Sequence, residues 1–161
     1  MNAYTDTLTS PIGTLTVVVN GDGALTHVLF EGQSPPAGAQ ADADRCAAAV
    51  TQLREYFAGE RTDFDLPLAP AGSAFQRQVW DELQRVGYGA VTDYRGLGGR
   101  IGRPHAARAV GRANATNPIP IIIPCHRVIG ANGSLTGYAG GLEAKRLLLE
   151  LESRAAAAVA A

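Results

Sequence analysis

The feature that most constrains this chain is the break at Pro67, Pro70 and Gly72, across which both the apolar period and the sign of the charge change. Ahead of it, Tyr4 to Thr9, Thr14 to Asn20 and Ala24 to Glu31 are rich in Thr, Val and Leu. Ser-Pro-Ile-Gly and Gly-Asp-Gly turn signals separate them, which predicts a three-stranded antiparallel meander. After the loop Gly32 to Ala41, Asp42 or Asp44 caps an expected helix to about Ala58, with Cys46, Val50, Leu53 and Phe57 at helical spacing. Cys46 thus reads as a small core residue, and a short strand at Phe64 to Leu68 would close the unit. Behind the break, Ser73 is a good N-cap for a helix from Ala74 to about Val86, whose Phe75, Val79, Trp80 and Leu83 share one face. The expected fold class is therefore α/β in the α+β sense. It comprises a supporting unit at residues 1–72, a mostly helical unit at 73–154, and a tail at 155–161 with nothing to bury and expected to be disordered.

Charge divides the same way. Residues 1–72 carry three Arg against nine Asp and Glu, whereas residues 73–130 carry eight Arg and no Lys against Asp81, Glu82 and Asp93. Such a basic island is either a solvated face or a polyanion site. No apolar run approaches the roughly 20 residues that cross a bilayer. Met1 to Thr9 lacks a basic segment followed by an apolar core, so a cytoplasmic location is expected. Cys46 and Cys125 read as free thiols. His27, His105 and His126 are scattered without zinc spacing, so no metal and no cofactor are expected.

Within the island, Thr92 or Asp93 starts a helix from Tyr94 to about Ile101. Gly102 breaks it, and Pro104 opens the first turn of a second helix, His105 to about Ala115. Two short helices carrying Arg95, Arg100, Arg103, Arg108 and Arg112 outline a helix-turn-helix. Gly98 and Gly99 weaken the first of them by about 1 kcal/mol each relative to Ala. Asn117 to Ile123 alternates proline with β-branched residues and suits an extended buried segment. It leads into Pro124-Cys125-His126-Arg127-Val128.

A cysteine beside a histidine and an arginine lies in positive surroundings that favour thiolate, the nucleophilic form. The dipeptide alone favours a buried, inert cysteine. In an extended segment Cys125 and His126 point to opposite faces, so a water relay between them is expected rather than direct contact. The glycine-rich stretch Gly130 to Gly141 precedes a last helix, Leu142 to about Arg154. There Glu143, Arg146, Glu150 and Arg154 make a charged outer face. Glu152 instead follows Leu148 by four and Leu149 by three. It is either an inward carboxylate that needs a partner, His126 being the natural one, or a half-exposed glutamate at a fraying end.

These residues carry a resemblance. Asn117-Pro118-Ile119-Pro120-Ile121-Ile122-Ile123-Pro124-Cys125-His126-Arg127-Val128-Ile129 resembles the active-site signature of the O6-alkylguanine-DNA alkyltransferases, also called methylated-DNA–protein-cysteine methyltransferases. The similarity extends upstream through Phe75-Gln76-Arg77-Gln78-Val79-Trp80, Tyr94 and Ala106-Ala107-Arg108-Ala109-Val110-Gly111. Downstream it continues through Gly137-Tyr138-Ala139-Gly140-Gly141-Leu142, covering residues 73 to 152.

The resemblance implies a ribonuclease H-like N-terminal sheet with a helix and a winged helix-like C-terminal unit. It implies direct-reversal DNA repair: an alkyl group moves irreversibly from O6 of guanine, and from O4 of alkylthymine, to a protein cysteine after base flipping, once per molecule. Cys125 then matches the acceptor, His126 its activator through water, Glu152 the carboxylate orienting the histidine, and Asn117 the support of the active-site turn. Tyr94 matches the residue that forces rotation of the target phosphate. Val128, Tyr138 and Ala139 match pocket positions that hold guanine, although Ala139 lacks the hydroxyl some members have there. Arg108 matches a finger entering the base stack. Ala106 and Ala107 are small enough for close approach in the minor groove, with Arg95 and Arg103 on the DNA backbone. The implied partner is double-stranded DNA bound by a monomer, with cooperativity on DNA possible in principle. A damage sensor that binds alkylguanine without accepting the alkyl group is the competing reading, and a cysteine hydrolase using Cys125, His126 and Glu152 ranks behind both.

Overall fold

The computed structural model describes residues 2–160, which fold as two compact units dividing between Ala71 and Gly72. The first unit is a four-stranded sheet in the order β3-β2-β1-β4 with one helix. Strand β1 (Ala3–Ser10) pairs antiparallel with β2 (Gly13–Asn20), and β2 pairs antiparallel with β3 (Leu25–Leu29) through an irregularity between Val18 and Val19. The expected meander is thus present. The fourth strand, beside β1, is not the one expected at Phe64 to Leu68. It is β4 (Gln40–Ala41), two residues running parallel in the segment read as loop. Phe64 to Leu68 contributes only a bridge from Leu68 to Leu25, with Pro67 O accepting from Leu25 N at 2.8 Å. Pro67 and Pro70 have no N–H to donate to a ladder, so the segment stops there.

Asp42 N donates to Thr5 O at 2.9 Å, and Asp42 then caps α1 (Ala43–Phe57) by accepting from Arg45 N. Helix α1 packs on β1 and β2 and buries Cys46, Ala49, Val50, Leu53 and Tyr56. The inward aromatic is Tyr56 rather than Phe57, one residue off the expected face. Full burial of Leu53 alone contributes roughly 1.5–3 kcal/mol.

In the second unit, α2 (Ala74–Leu83) starts with a full capping box between Ser73 and Gln76. It ends three residues before the expected Val86, whose N–H closes a turn onto Leu83 O. Helix α2 packs on α3 (Tyr94–Arg100) and α4 (Ala107–Ala115). Trp80, 1% exposed, donates its indole N–H to Ala113 O at 2.8 Å. Asp93 caps α3, but α4 begins two residues after His105, because Pro104 and His105 lie in the connecting turn. Gly98 does not loosen α3 as expected. A Cβ there would stand 2.7 Å from Arg103 O, in the turn leading to α4, so the close approach of that turn requires glycine. A parallel pairing of β5 (Thr92–Asp93) with β6 (Val128–Ile129) ties the start of α3 to the chain after Cys125.

The last helix, α5 (Leu142–Ala160), runs past Arg154 through the alanine stretch. Alanine has the highest helix propensity, and nothing in the sequence breaks the helix there, so the stretch is helical rather than the expected disordered tail. The tail's final residue, Ala161, lies outside the described residues. Among the described residues no helix is long and apolar enough to cross a membrane.

Candidate functional site

The site grows from the segment between α4 and β6. Asn117 to Ile123 is buried as expected from Ile119 onward, but it is coiled, not extended. Ile123 N donates back to Ile119 O at 2.9 Å, and Ile121 takes φ +75°. A β-branched residue in the left-handed region is strained, and such strain persists only where surroundings over-determine it. Asn117 supplies that constraint. Its Oδ1 accepts from Ile119 N at 3.0 Å and its Nδ2 donates to Ile123 O at 2.7 Å. Cys125 N also donates to Ile123 O, and Cys125–Arg127 forms a single 3₁₀ turn in place of the expected extended backbone. Asn114 Nδ2 reaches Cys125 O at 3.5 Å from α4.

Around this turn lies a buried charge cluster. His126 and Glu152 are 0% and 1% exposed, and His126 Nε2 stands 2.7 Å from Glu152 Oε2. The expected pairing is therefore present, and Glu152 is inward. Arg127 grips the same carboxylate through two bonds, Nε to Oε1 at 2.8 Å and Nη2 to Oε2 at 2.9 Å, while its Nη1 donates to Val86 O at 2.6 Å. Burial alone would raise the Glu152 pKa, but the hydrogen bonds from His126 and Arg127 hold it down at about 2. Burial lowers the His126 pKa despite Glu152, so the ring is neutral near pH 7. An ionised carboxylate only accepts, hence Nε2 carries the proton and Nδ1 is the bare acceptor. That buried Nδ1 has no partner in the protein.

The thiol differs from the sequence expectation. Burial pushes Cys125 up to about 11, against hydrogen bonds from Asn117 and Tyr138 and the positive charge of Lys145, so the resting group is a thiol rather than a thiolate. A flanking Arg in sequence did not supply positive charge to the sulfur, since Arg127 spends its guanidinium on Glu152. The nearby cation is Lys145, 0% exposed, whose Nζ donates to Val128 O at 2.6 Å and reaches Thr136 Oγ1 at 3.3 Å and Thr136 O at 3.4 Å.

Of the remaining expected residues, Tyr94 bonds Thr136 Oγ1 through its hydroxyl at 2.6 Å, and Tyr138 is half-buried. Val128 is buried, with its N–H given to Cys125 O and its carbonyl engaged by Lys145, while Ala139 is exposed. Arg108, Arg95 and Arg103 are exposed, the last over the Phe75 ring at 5.4 Å, and Ala106 and Ala107 are half-buried at the start of α4. These five make a surface set, apart from the buried set around the thiol. Sequence reasoning missed Lys145, Arg127 as carboxylate partner, Thr136 and Asn114. Lys145 was within reach of the periodicity that found Glu152, because 145, 148, 149 and 152 share one helical face.

Comparison with known proteins completes the picture. Residues 74–154 match the family described as 6-O-methylguanine DNA methyltransferase, DNA binding domain, and residues 3–70 match its ribonuclease-like domain. A methylated-DNA–protein-cysteine methyltransferase of Mycolicibacterium paratuberculosis is 50% identical over 151 residues, covering 92% of this chain and 91% of that protein. One of Methanosarcina barkeri is 46% identical over 153 residues, covering 92% and 96%. The crystal structure of Mycobacterium tuberculosis OGT in complex with DNA superposes with a TM-score of 0.89 at 46% identity, covering 96% of this chain and 94% of that one.

Proposed function

The chain belongs to the 6-O-methylguanine DNA methyltransferase family, which repairs DNA by moving the methyl group to a cysteine of the protein itself, and from that premise we propose that Cys125 is the acceptor. The observation that carries this assignment is the His126–Glu152 bond, which leaves His126 Nδ1 as a buried acceptor with no protein partner, next in sequence to the thiol. A water at Nδ1 accepts the Sγ proton while giving one of its own to the ring, and Glu152 stabilises the imidazolium that forms. Lys145 and the hydrogen bonds of Asn117 and Tyr138 stabilise the developing thiolate. The sulfur lone pair attacks the methyl carbon, the C–O6 bond breaks with its electron pair passing to the guanine, and the leaving base takes up one proton in exchange for the one His126 gained, which leaves the ring neutral again. The thioether that remains has no proton to lose, so each molecule reacts once.

A thiol that is 5% exposed cannot reach a stacked base, so the nucleotide leaves the helix for the pocket. Tyr94 turns the target phosphate, Arg108 fills the vacated place in the stack, and Ala106 and Ala107 let α4 approach closely in the minor groove. Arg95 and Arg103 hold the DNA backbone without reading sequence, as repair in any context requires. Val128, Tyr138 and Ala139 hold the flipped base. The protein is a monomer in solution and acts on double-stranded DNA, and the same pocket accepts O4-alkylthymine.

Intact-protein mass spectrometry after incubation with a duplex carrying O6-methylguanine tests the acceptor. Wild type gains a single methyl that peptide mapping places on Cys125, and Cys125→Ser gains none. Tight binding of the lesion by unmodified wild type would make the protein a damage sensor and discard the thiol mechanism.

A further inference from the structure

The buried ammonium of Lys145 joins parts of the second unit that the reaction must keep in register, and one residue it holds has no part in the mechanism above. Lys145 donates to Val128 O, beside the acceptor turn, and contacts both the carbonyl and the hydroxyl of Thr136, in the glycine-rich stretch before α5. Thr136 Oγ1 in turn stands 2.6 Å from the Tyr94 hydroxyl. Tyr94 is the first residue of α3, and its ring edge lies 3.6 Å from where a Cβ on Gly111 of α4 would be, so the ring is bounded by the recognition pair and its tip by Thr136.

The donor inventory gives this junction a direction. An ammonium has three protons and no acceptor, so Thr136 Oγ1 accepts from Lys145 and keeps its own proton to give. Given to Tyr94, that proton leaves the phenolic O–H as a donor free to face a ligand; withheld, the phenol proton is consumed by Thr136. A hydroxyl bound to a cation is the better donor, which favours the first arrangement. The 2.6 Å bond also fixes the tip of a ring that is only half-buried.

We propose that Thr136 is a positioning residue that, held by Lys145, sets the place and proton direction of the Tyr94 hydroxyl for its action on the DNA strand. This rests on the reading of Tyr94 given above. Removing the Thr136 hydroxyl withdraws one well-placed hydrogen bond from a group that acts only on the flipped nucleotide's strand. It therefore slows repair of duplex much more than reaction with the free base, which has no phosphate to turn.

The test measures single-turnover methyl transfer to Cys125 from a duplex carrying O6-methylguanine and from free O6-methylguanine base, for wild type, Thr136→Val, Thr136→Ser and Tyr94→Phe. Thr136→Val is expected to slow the duplex reaction about tenfold with a much smaller change on free base, and Thr136→Ser to restore it. Adding Thr136→Val to Tyr94→Phe is expected to cost little more than Tyr94→Phe alone. Should Thr136→Val fail to fold, Thr136→Ala in the same cycle carries the test. Equal losses on duplex and free base, full additivity with Tyr94→Phe, or no rescue by serine would overturn the proposal. If Tyr94→Phe slows the duplex and Thr136→Val does not, the proposal alone falls. If Tyr94→Phe is itself without effect, the reading of Tyr94 falls and the role of Thr136 with it.

Discussion

The first unit fills its interior with Leu15, Val17, Val18, Leu25 and Leu53, whereas all the buried polar and charged side chains among the described residues, Asn114, His126, Arg127, Lys145 and Glu152, lie in the second. The first interior is held by burial that has no direction and tolerates exchange of similar shapes. The second is held by partners, each of which leaves a buried polar group unpaired if the other is removed, and in the Arg127–Glu152 pair a stranded charge. On the function proposed above, chemistry resides where the interior is expensive: the cluster of buried charges is the one that keeps a histidine neutral and aimed.

The largest effect that could break this contrast comes from Glu152→Ala. It strands Arg127 and frees the His126 ring, and is expected to cost roughly 3–5 kcal/mol of stability and about 10²–10⁴-fold in transfer rate. Leu53→Ala in the first unit is expected to cost a comparable 2–5 kcal/mol, order-of-magnitude, while the rate per folded molecule holds. Urea midpoints and single-turnover rates on the same preparations separate the two. Replacing the two charged members together, Arg127→Met with Glu152→Leu, leaves only the neutral His126 without its acceptor and should recover part of the stability and none of the transfer. A double variant as unstable as Glu152→Ala would mean the pair holds the fold by more than its charges.

Dependence on pH sharpens the contrast at a smaller scale. Glu152 sits at about 2 in the fold against 4.5 ordinarily, so its stabilisation is present above pH 4.5 and is lost as the pH falls towards 2. His126 is lowered from 6.5 by burial, so the unfolded chain takes up a proton first and stability also falls below pH 6.5. Both of these lie in the second unit, and the first adds one of the same sign, since burial also lowers His27 from 6.5. On the alkaline side each unit holds a buried thiol, because burial raises both Cys46, next to Asp6 and Asp42, and Cys125 from 9.0 to about 11, while in the second unit burial also raises Tyr88 and lowers Lys145. Each thiol contributes stability below pH 9 that is lost between pH 9 and 11. Urea midpoints across pH are expected to show an acid limb that Glu152→Gln shrinks and Cys46→Ala leaves alone, and an alkaline limb that Cys46→Ala reduces. An acid limb indifferent to Glu152→Gln would move the acid sensitivity elsewhere.

The same contrast governs what the sequence could reveal. Alternation and turn residues located β1, β2 and β3, and helical spacing with caps located α1, α2 and α3, because those signals are local. Strand β4 and the β5–β6 pair were illegible, since two residues carry no period and a parallel ladder needs a partner distant in the chain. Glu152 was found because a helix repeats, and its partner because a buried carboxylate requires one. Arg127 was not assigned to it, as two adjacent residues turn the same way only in the tight turn at Cys125–Arg127 that the β-branched run concealed. The thiol was misjudged for the same reason. Neighbouring charges can be counted in a sequence, but the water removed from around a side chain cannot.

The smallest predicted effect compares two caps. Asp42 caps α1 with one bond, to Arg45 N at 3.1 Å. Ser73 caps α2 reciprocally, accepting from Gln76 N at 3.1 Å while Gln76 Oε1 accepts from Ser73 N at 2.8 Å. Gln76 Nε2 also donates to Thr116 Oγ1 at 3.0 Å, at the end of α4 and one residue before Asn117. Either substitution by alanine is expected to cost about 1 kcal/mol, with Ser73→Ala the larger, because losing the Ser73 hydroxyl frees Gln76 N and loosens the turn across which Ser73 N holds Gln76 Oε1 and, through it, the side chain beside Thr116. Urea unfolding of the two variants gives the order. Asp42→Ala costing as much as Ser73→Ala would show that the α2 cap is as local as that of α1. The greater loss at Ser73 would show that, in the second unit, even an exposed cap is wired towards Asn117, whose bonds hold the turn before the proposed acceptor.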